Sequence, residues 1–155
     1  MTTDDLLVFL RTQRFAVQAS RSASGSTQAA LVGIAVTDSL EIVFDTVSST
    51  RKARNLLANP RAALVIGGWL PGDERTVQYE GIADRPTGDE LDRLKAVYFS
   101  AWPDGVSRSA WPDLVYIRVR PTWIRYSDFN RAPSLVVEFT GEELAAWLRR
   151  ARSTT

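Results

Sequence analysis

Ser48-Ser49-Thr50-Arg51-Lys52-Ala53-Arg54-Asn55-Leu56-Leu57-Ala58-Asn59-Pro60 follows directly on the strand-like run Glu41-Ile42-Val43-Phe44-Asp45-Thr46-Val47. The hydroxyls supply N-cap residues, Ala53, Leu56 and Leu57 fall on one helical face, and Asn59-Pro60 stops the turn. A short helix starting near Thr50 is predicted. Arg51 and Lys52 in its first turn oppose the helix dipole, whose N-terminal end is already partly positive. The other predicted helices obey the dipole. Thr2-Thr3-Asp4-Asp5, Thr87-Gly88-Asp89-Glu90 and Thr140-Gly141-Glu142-Glu143 each set a hydroxyl ahead of acids, like a capping box. Exposed backbone N–H groups, hydroxyls and two cations together make the chemistry of a phosphate seat. The other reading is a solvated helix that tolerates roughly a few tenths of a kcal/mol of repulsion.

Around this stretch the chain reads mostly as strands. A first helix near residues 3–12 gathers Leu6, Leu7, Phe9 and Leu10 on one side. Phe15, Val17 and Ala19 then alternate with Ala16, Gln18 and Ser20 in a half-buried strand. Thr27 to Val36 is a second strand, with Gly33 marking a bulge or a close backbone approach. Arg61 to Gly67 is nearly continuous in apolar residues and is expected to be central. In Arg75 to Ala83, Val77 and Tyr79 alternate with Thr76, Gln78 and Glu80. Leu91, Leu94, Val97 and Tyr98 have helical spacing, and Pro103-Asp104-Gly105 ends that helix. Leu114 to Arg120 and Thr122 to Phe129 read as two strands bent at Pro121, followed by the short apolar Val136–Phe139 and a terminal helix over 141–150. Hairpin-connected strands with few, scattered helices predict a mainly β (α+β) fold: an antiparallel six- to seven-stranded split β-barrel with peripheral helices, in one domain spanning 1–155.

The 155 residues suffice for a core without disulfides or metal. Cysteine and histidine are both absent. That removes thiolate chemistry, Ser-His-Asp and Cys-His catalysis, ordinary zinc hydrolysis and histidine-ligated haem. Redox chemistry in such a chain falls to an organic cofactor. A net charge of +1 argues against a nucleic-acid partner. No apolar run reaches membrane-span length, and the acidic start does not read as a signal peptide, so a cytoplasmic location without membrane contact is expected.

Phe44-Asp45-Thr46-Val47-Ser48-Ser49-Thr50-Arg51-Lys52-Ala53, then Asn59-Pro60-Arg61-Ala62-Ala63-Leu64, then Glu74 to Ala83 closely resembles the pyridoxamine 5′-phosphate oxidase-like family of FMN-binding split β-barrels. The likeness covers most of residues 13 to 127. It implies a homodimer with two flavin sites between the barrels and a small-molecule substrate. By that resemblance Arg51 and Lys52 bind the FMN phosphate, with Thr46 and Thr50, or Ser49 in place of Thr50, completing the seat. The strand Val43, Phe44, Asp45, Thr46 offers backbone groups to the ring system. Thr76 and Gln78 approach its polar edge from the neighbouring strand, and Trp123 and Arg125 reach it from the partner subunit.

Each assignment has a plainer reading. Thr46 also serves to end a strand, Thr76 and Gln78 also suit a solvent face, and Trp123 also suits a core or an interface. Departures from the family matter as well. Where the true oxidase holds substrate phosphate with an Arg shortly after its Tyr-Phe pair, here Tyr98-Phe99, this chain carries Trp102. The late Arg-x-His pair is missing. The expected function is therefore an FMN-binding flavoprotein oxidoreductase that is not an efficient pyridoxamine 5′-phosphate oxidase. No catalytic residue and no metal site are assigned. The alternatives are an F420-dependent reductase of the same fold and a noncatalytic flavin- or ligand-binding protein.

Overall fold

In the computed structural model, which describes residues 1–152, Thr2 caps the first helix as its sequence requires. Its hydroxyl accepts from Asp5 N and the Asp5 carboxylate accepts from Thr2 N, closing a capping box on α1 (Thr3–Thr12). Leu6, Phe9 and Leu10 are buried. The chain continues through β1 (Phe15–Arg21), β2 (Thr27–Gly33), β3 (Ala35–Val36), β4 (Ile42–Val47), α2 (Arg51–Ala58), β5 (Arg61–Gly67) and β6 (Arg75–Asp84). It ends with α3 (Gly88–Ala101), α4 (Gly105–Arg108), β7 (Leu114–Asp128), β8 (Leu135–Phe139) and α5 (Gly141–Arg152).

The strands form one eight-stranded sheet in the order β2-β1-β5-β6-β7-β4-β3, with β8 beside β7. All of its pairings are antiparallel. This is the split-barrel architecture, with one more strand than the upper expectation. The predicted single strand 27–36 breaks at Ile34 into β2 and β3, and the short apolar segment 136–139 pairs with β7 as part of β8. Ile34 N donates to Arg14 O at 2.9 Å and its carbonyl accepts from Trp102 Nε1 at 2.9 Å, so neither group is left for the ladder. The close approach expected at Gly33 is real: a Cβ there would lie 2.8 Å from the Trp102 ring.

The two strands expected around Pro121 are instead one fifteen-residue strand. Between the pairs Glu80↔Trp123 and Gly81↔Pro121 the register shifts by one residue on β7, a bulge that absorbs the bend. Proline has no N–H to give to a ladder, which makes a bulge its natural place. Other local readings are corrected too. The turn at 103–105 leads into α4, and Thr87 makes no side-chain cap bond. Leu57 is 70% exposed, while Asn55 joins Ala53 and Leu56 on the buried side of α2.

Phe44, Ile66, Val77, Tyr79, Ile117 and Ile124 centre the main core, and Leu144 and Trp147 of α5 close it. A second cluster of Ala35, Val43, Leu94, Tyr98 and Tyr116 lies under α3. Tyr79 is buried, and its hydroxyl donates toward the carbonyls of Leu40 and Val119 at 2.9 and 2.8 Å, joining three segments. On β7, between β6 and β4, Arg118 sits among Asp84 at 2.6 Å, Glu90 at 2.5 Å and Glu41 at 3.4 Å. Arg93 of α3 joins Glu90 at 2.7 Å and Glu41 at 3.2 Å. This network pins α3 to β6 and β7.

Two consequences are testable. Trp147→Ala is expected to destabilise the protein by about 3–5 kcal/mol in urea unfolding, the cost of emptying an aromatic core position. Arg93, with Arg118 behind it, holds the Glu90 carboxyl below its ordinary range. A depressed folded value adds stability above the unfolded value of about 4.3, and that stability is lost as pH falls through the folded one. Glu90→Gln is therefore expected to cost at most about 1 kcal/mol at pH 7, since the pair is half exposed. The difference from wild type shrinks steadily in unfolding curves taken below about pH 4.

Candidate functional site

Thr46 is the last buried residue of β4, and its hydroxyl meets that of Thr50 at 3.0 Å. Thr50 is the N-cap of α2 and accepts from Ala53 N at 3.4 Å. The Arg51 and Lys52 amides stand in the first turn, where no intrahelical acceptor is available. No acid occupies that turn, whereas α1, α3 and α5 all carry acids there. Among the described residues neither Arg51 nor Lys52 forms an ion pair. Ser49 is exposed beside them.

A groove of about 320 Å³ opens between this helix end and the barrel, lined by Thr50, Arg51, Lys52, Gln18, Ser20 and Gln28, with Ala29 and Ala30. The inner wall is a polar layer that the sequence did not reveal. In β1 the interior side chains are Ala16, Gln18 and Ser20, while Phe15, Val17 and Ala19 point outward. Asn55 Nδ2 donates to Ser20 Oγ at 3.1 Å and to Gln28 Oε1 at 2.8 Å. Those bonds explain why an asparagine replaces Leu57 on the buried side of α2. Gln18 is 0% exposed, and both of its amide atoms lack a partner.

The rest of β4 serves two surroundings. Val43 is buried under α3 and Phe44 in the main core. β3 pairs only with Ile42 and Val43, so from Phe44 to Thr46 one edge of β4 has no strand partner. Asp45 is held by Arg108 of α4 at 3.4 Å, and Arg108 also binds Asp104. Burial, and after it the negative Asp45, pushes the phenols of Tyr98 and Tyr116 up, so both stay protonated at neutral pH. Tyr116 Oη is buried without a partner. Arg108 and Tyr116 were not marked by any motif, because only the fold of the loop after α3 brings them to Asp45.

Thr76, Gln78, Trp123 and Arg125 do not line the groove. The strands beside β4 are β7 and the short β3, and β6 lies beyond β7, so Thr76 and Gln78 do not come from a strand next to β4. They occur instead with Trp123 and Arg125 on the outer face of the sheet, where Gln78 pairs with Arg125 and Glu80 with Trp123. One row of that face runs Leu31, Val17, Val65, Gln78, Arg125, Glu138 across six strands. Leu31 is 62% exposed and Val65 44%. Phe15 and Val136 are exposed nearby. The predicted site residues thus fall into two groups on one chain: a seat at α2 and a patch on the outer sheet.

A family model described as pyridoxamine 5′-phosphate oxidase matches residues 2–128. A pyridoxine/pyridoxamine 5′-phosphate oxidase of Bordetella avium is 39% identical over 93 residues, which are 60% of this chain but only 41% of that protein. Among solved structures, a heme binding protein from Mycobacterium smegmatis superimposes with a TM-score of 0.74 at 23% identity, covering 90% of this chain and 57% of that one. A pyridoxamine 5′-phosphate oxidase-related, FMN binding protein from Nostoc punctiforme gives 0.64 at 12% identity, covering 88% and 84%. At such identities these structures share the fold. No described helix is long and apolar enough to cross a membrane.

Proposed function

From this chain's membership of the pyridoxamine 5′-phosphate oxidase family, we propose that it is a homodimeric FMN-binding flavoprotein, an oxidoreductase acting on a small molecule. The observation that carries the reading is the start of α2, with two unpaired cations, a capping hydroxyl and free first-turn amides around a groove that also holds an orphaned buried amide. That donor set fits a phosphate ester in charge, size and hydrogen-bonding capacity. Arg51, Lys52, Thr46 and Thr50 hold the phosphate, and Ser49 stands at the rim. Phe44 to Thr46 present unpaired backbone to the rest of the cofactor.

Bound FMN supplies the electron-transfer chemistry, and the chain binds and orients it. The second copy belongs on the outer sheet face, which exposed Leu31, Val65, Phe15 and Val136 share with Trp123 and Arg125. Dimerisation covers that apolar surface and carries Thr76, Gln78, Trp123 and Arg125 toward the partner's seat. Trp102 is packed on Gly33 and stacked by Arg14 at 4.0 Å, so it gives no phosphate ligand where the true oxidase has one. Poor turnover of pyridoxamine 5′-phosphate is the consequence. F420 suits the groove less well: of Arg54, Arg61 and Arg75, the cations that could enlarge it, Arg75 is locked to Asp73 at 2.7 Å and Arg61 lines a separate groove, which leaves Arg54 of α2.

An absorbance spectrum of the purified protein, with release and mass analysis of the chromophore, tests the reading. Oxidised-flavin bands and FMN support it, and a deazaflavin spectrum replaces FMN with F420. Replacing Arg51 and Lys52 together by alanine is expected to weaken FMN binding about 100-fold or more, at charge-assisted bond strength, with unchanged unfolding. A double variant that still purifies yellow rules the seat out. Val65→Asp is expected to sediment as a monomer and to lose flavin with the dimer.

A further inference from the structure

Gln18 is the one buried side chain of the groove wall that the surrounding protein leaves unsatisfied. Its register neighbours are Ala30 on β2 and Leu64 on β5, neither of which offers a side-chain donor or acceptor. Ala16 precedes it on the same face. Two residues further on, Ser20 is engaged by Asn55, and the same Asn55 amide takes Gln28 Oε1. The polar layer is therefore closed without Gln18, whose Nε2 and Oε1 both remain unpartnered at 0% exposure. An apolar side chain of similar volume would suit these neighbours better, because a buried amide without bonds costs the desolvation of both atoms. The groove that Gln18 lines with Thr50, Arg51 and Lys52 is where a ligand can deliver that partner.

We propose that Gln18 is a ligand-specificity residue of this groove, recognising the hydroxyl-bearing group next to the phosphate of a phosphate ester. The inference rests on the FMN reading above and names what that reading leaves unassigned. A carboxamide presents a donor and an acceptor side by side. A hydroxyl-bearing group beside the phosphate uses both, whereas inorganic phosphate seated on Arg51 and Lys52 has no such group to offer the amide. Arg51 and Lys52 supply charge, and Gln18 supplies the neutral discrimination between a polyol phosphate and inorganic phosphate. Its unmet bonds in the free protein are stability given up for binding.

The test uses the full chain stripped of flavin, with Gln18→Leu and Gln18→Met as parallel variants. Urea unfolding of the free proteins, fluorescence titration with FMN and competition by inorganic phosphate are measured for each. Both variants are expected to unfold at higher urea than wild type and to bind FMN about 3–10-fold more weakly, the range of one or two neutral hydrogen bonds. Competition by inorganic phosphate stays unchanged. Unaltered FMN affinity in both variants overturns the proposal, as does a free protein destabilised in both, which would make Gln18 structural. Equal weakening of FMN and inorganic phosphate also overturns it, because Gln18 would then serve the anion alone. Wild-type protein that fails to bind FMN removes the FMN reading itself and the proposal with it, a result separate from the others.

Discussion

The bend of β7 governs how the rest of the molecule is placed. One edge of this strand pairs with β6 over 118–128, while the other is divided between β4, opposite 114–119, and β8, opposite 124–128. Between those halves Pro121 interrupts the ladder, and Gly81 allows the chains to approach so closely that a Cβ on Gly81 would stand 2.3 Å from Arg120 O. Any side chain there would push β6 away from β7. The bend sends β4 toward α2 and its cationic first turn, and β8 toward α5 and the far end of the core. Both ends of the domain therefore rely on one missing Cβ and one missing N–H.

A second theme is the reversal of polarity across the sheet. The inner wall near α2 is polar, built from Gln18, Ser20, Gln28 and Asn55, whereas the outer wall carries exposed Leu31 and Val65 among small residues. A folded domain on its own is stabilised by the opposite arrangement. Exposed apolar surface on a sheet marks a face suited to a partner, and buried polar groups beside free cations mark a place suited to a ligand. Both departures from that arrangement lie on opposite faces of the same strands.

α1, α2, α3 and α5 were legible in the sequence, and α4 was not, because dipole charges and 3.6-residue periodicity are local and need more than one turn to show. Thr2 with Asp5 and the acid-free first turn of α2 are properties of a few successive residues, and the structure reproduces them. The alternation in β6 was legible for the same reason, since Val77 and Tyr79 are both apolar and bulky. In β1 alternation alone was insufficient: apolar residues occupy one phase, and the sheet turns the other phase inward. Pro121 read as a boundary because a proline usually ends pairing, and only the opposing bulge and Gly81 let the strand continue.

The sequence by itself determined that the seat at Arg51 and Lys52 is cationic and capped, that histidine and cysteine chemistry is absent, and that an antiparallel β fold carries the site. Those are consequences of composition and of interactions between near neighbours. Tertiary structure decided that Gln18 faces the groove, that Asn55 and not Leu57 is buried, that Arg75 is bound to Asp73, and that Gln78 lies two strands from β4. The reason is physical: side-chain direction in a strand is set by register with distant partners. A one-residue change of phase exchanges inside for outside while leaving the local sequence unchanged.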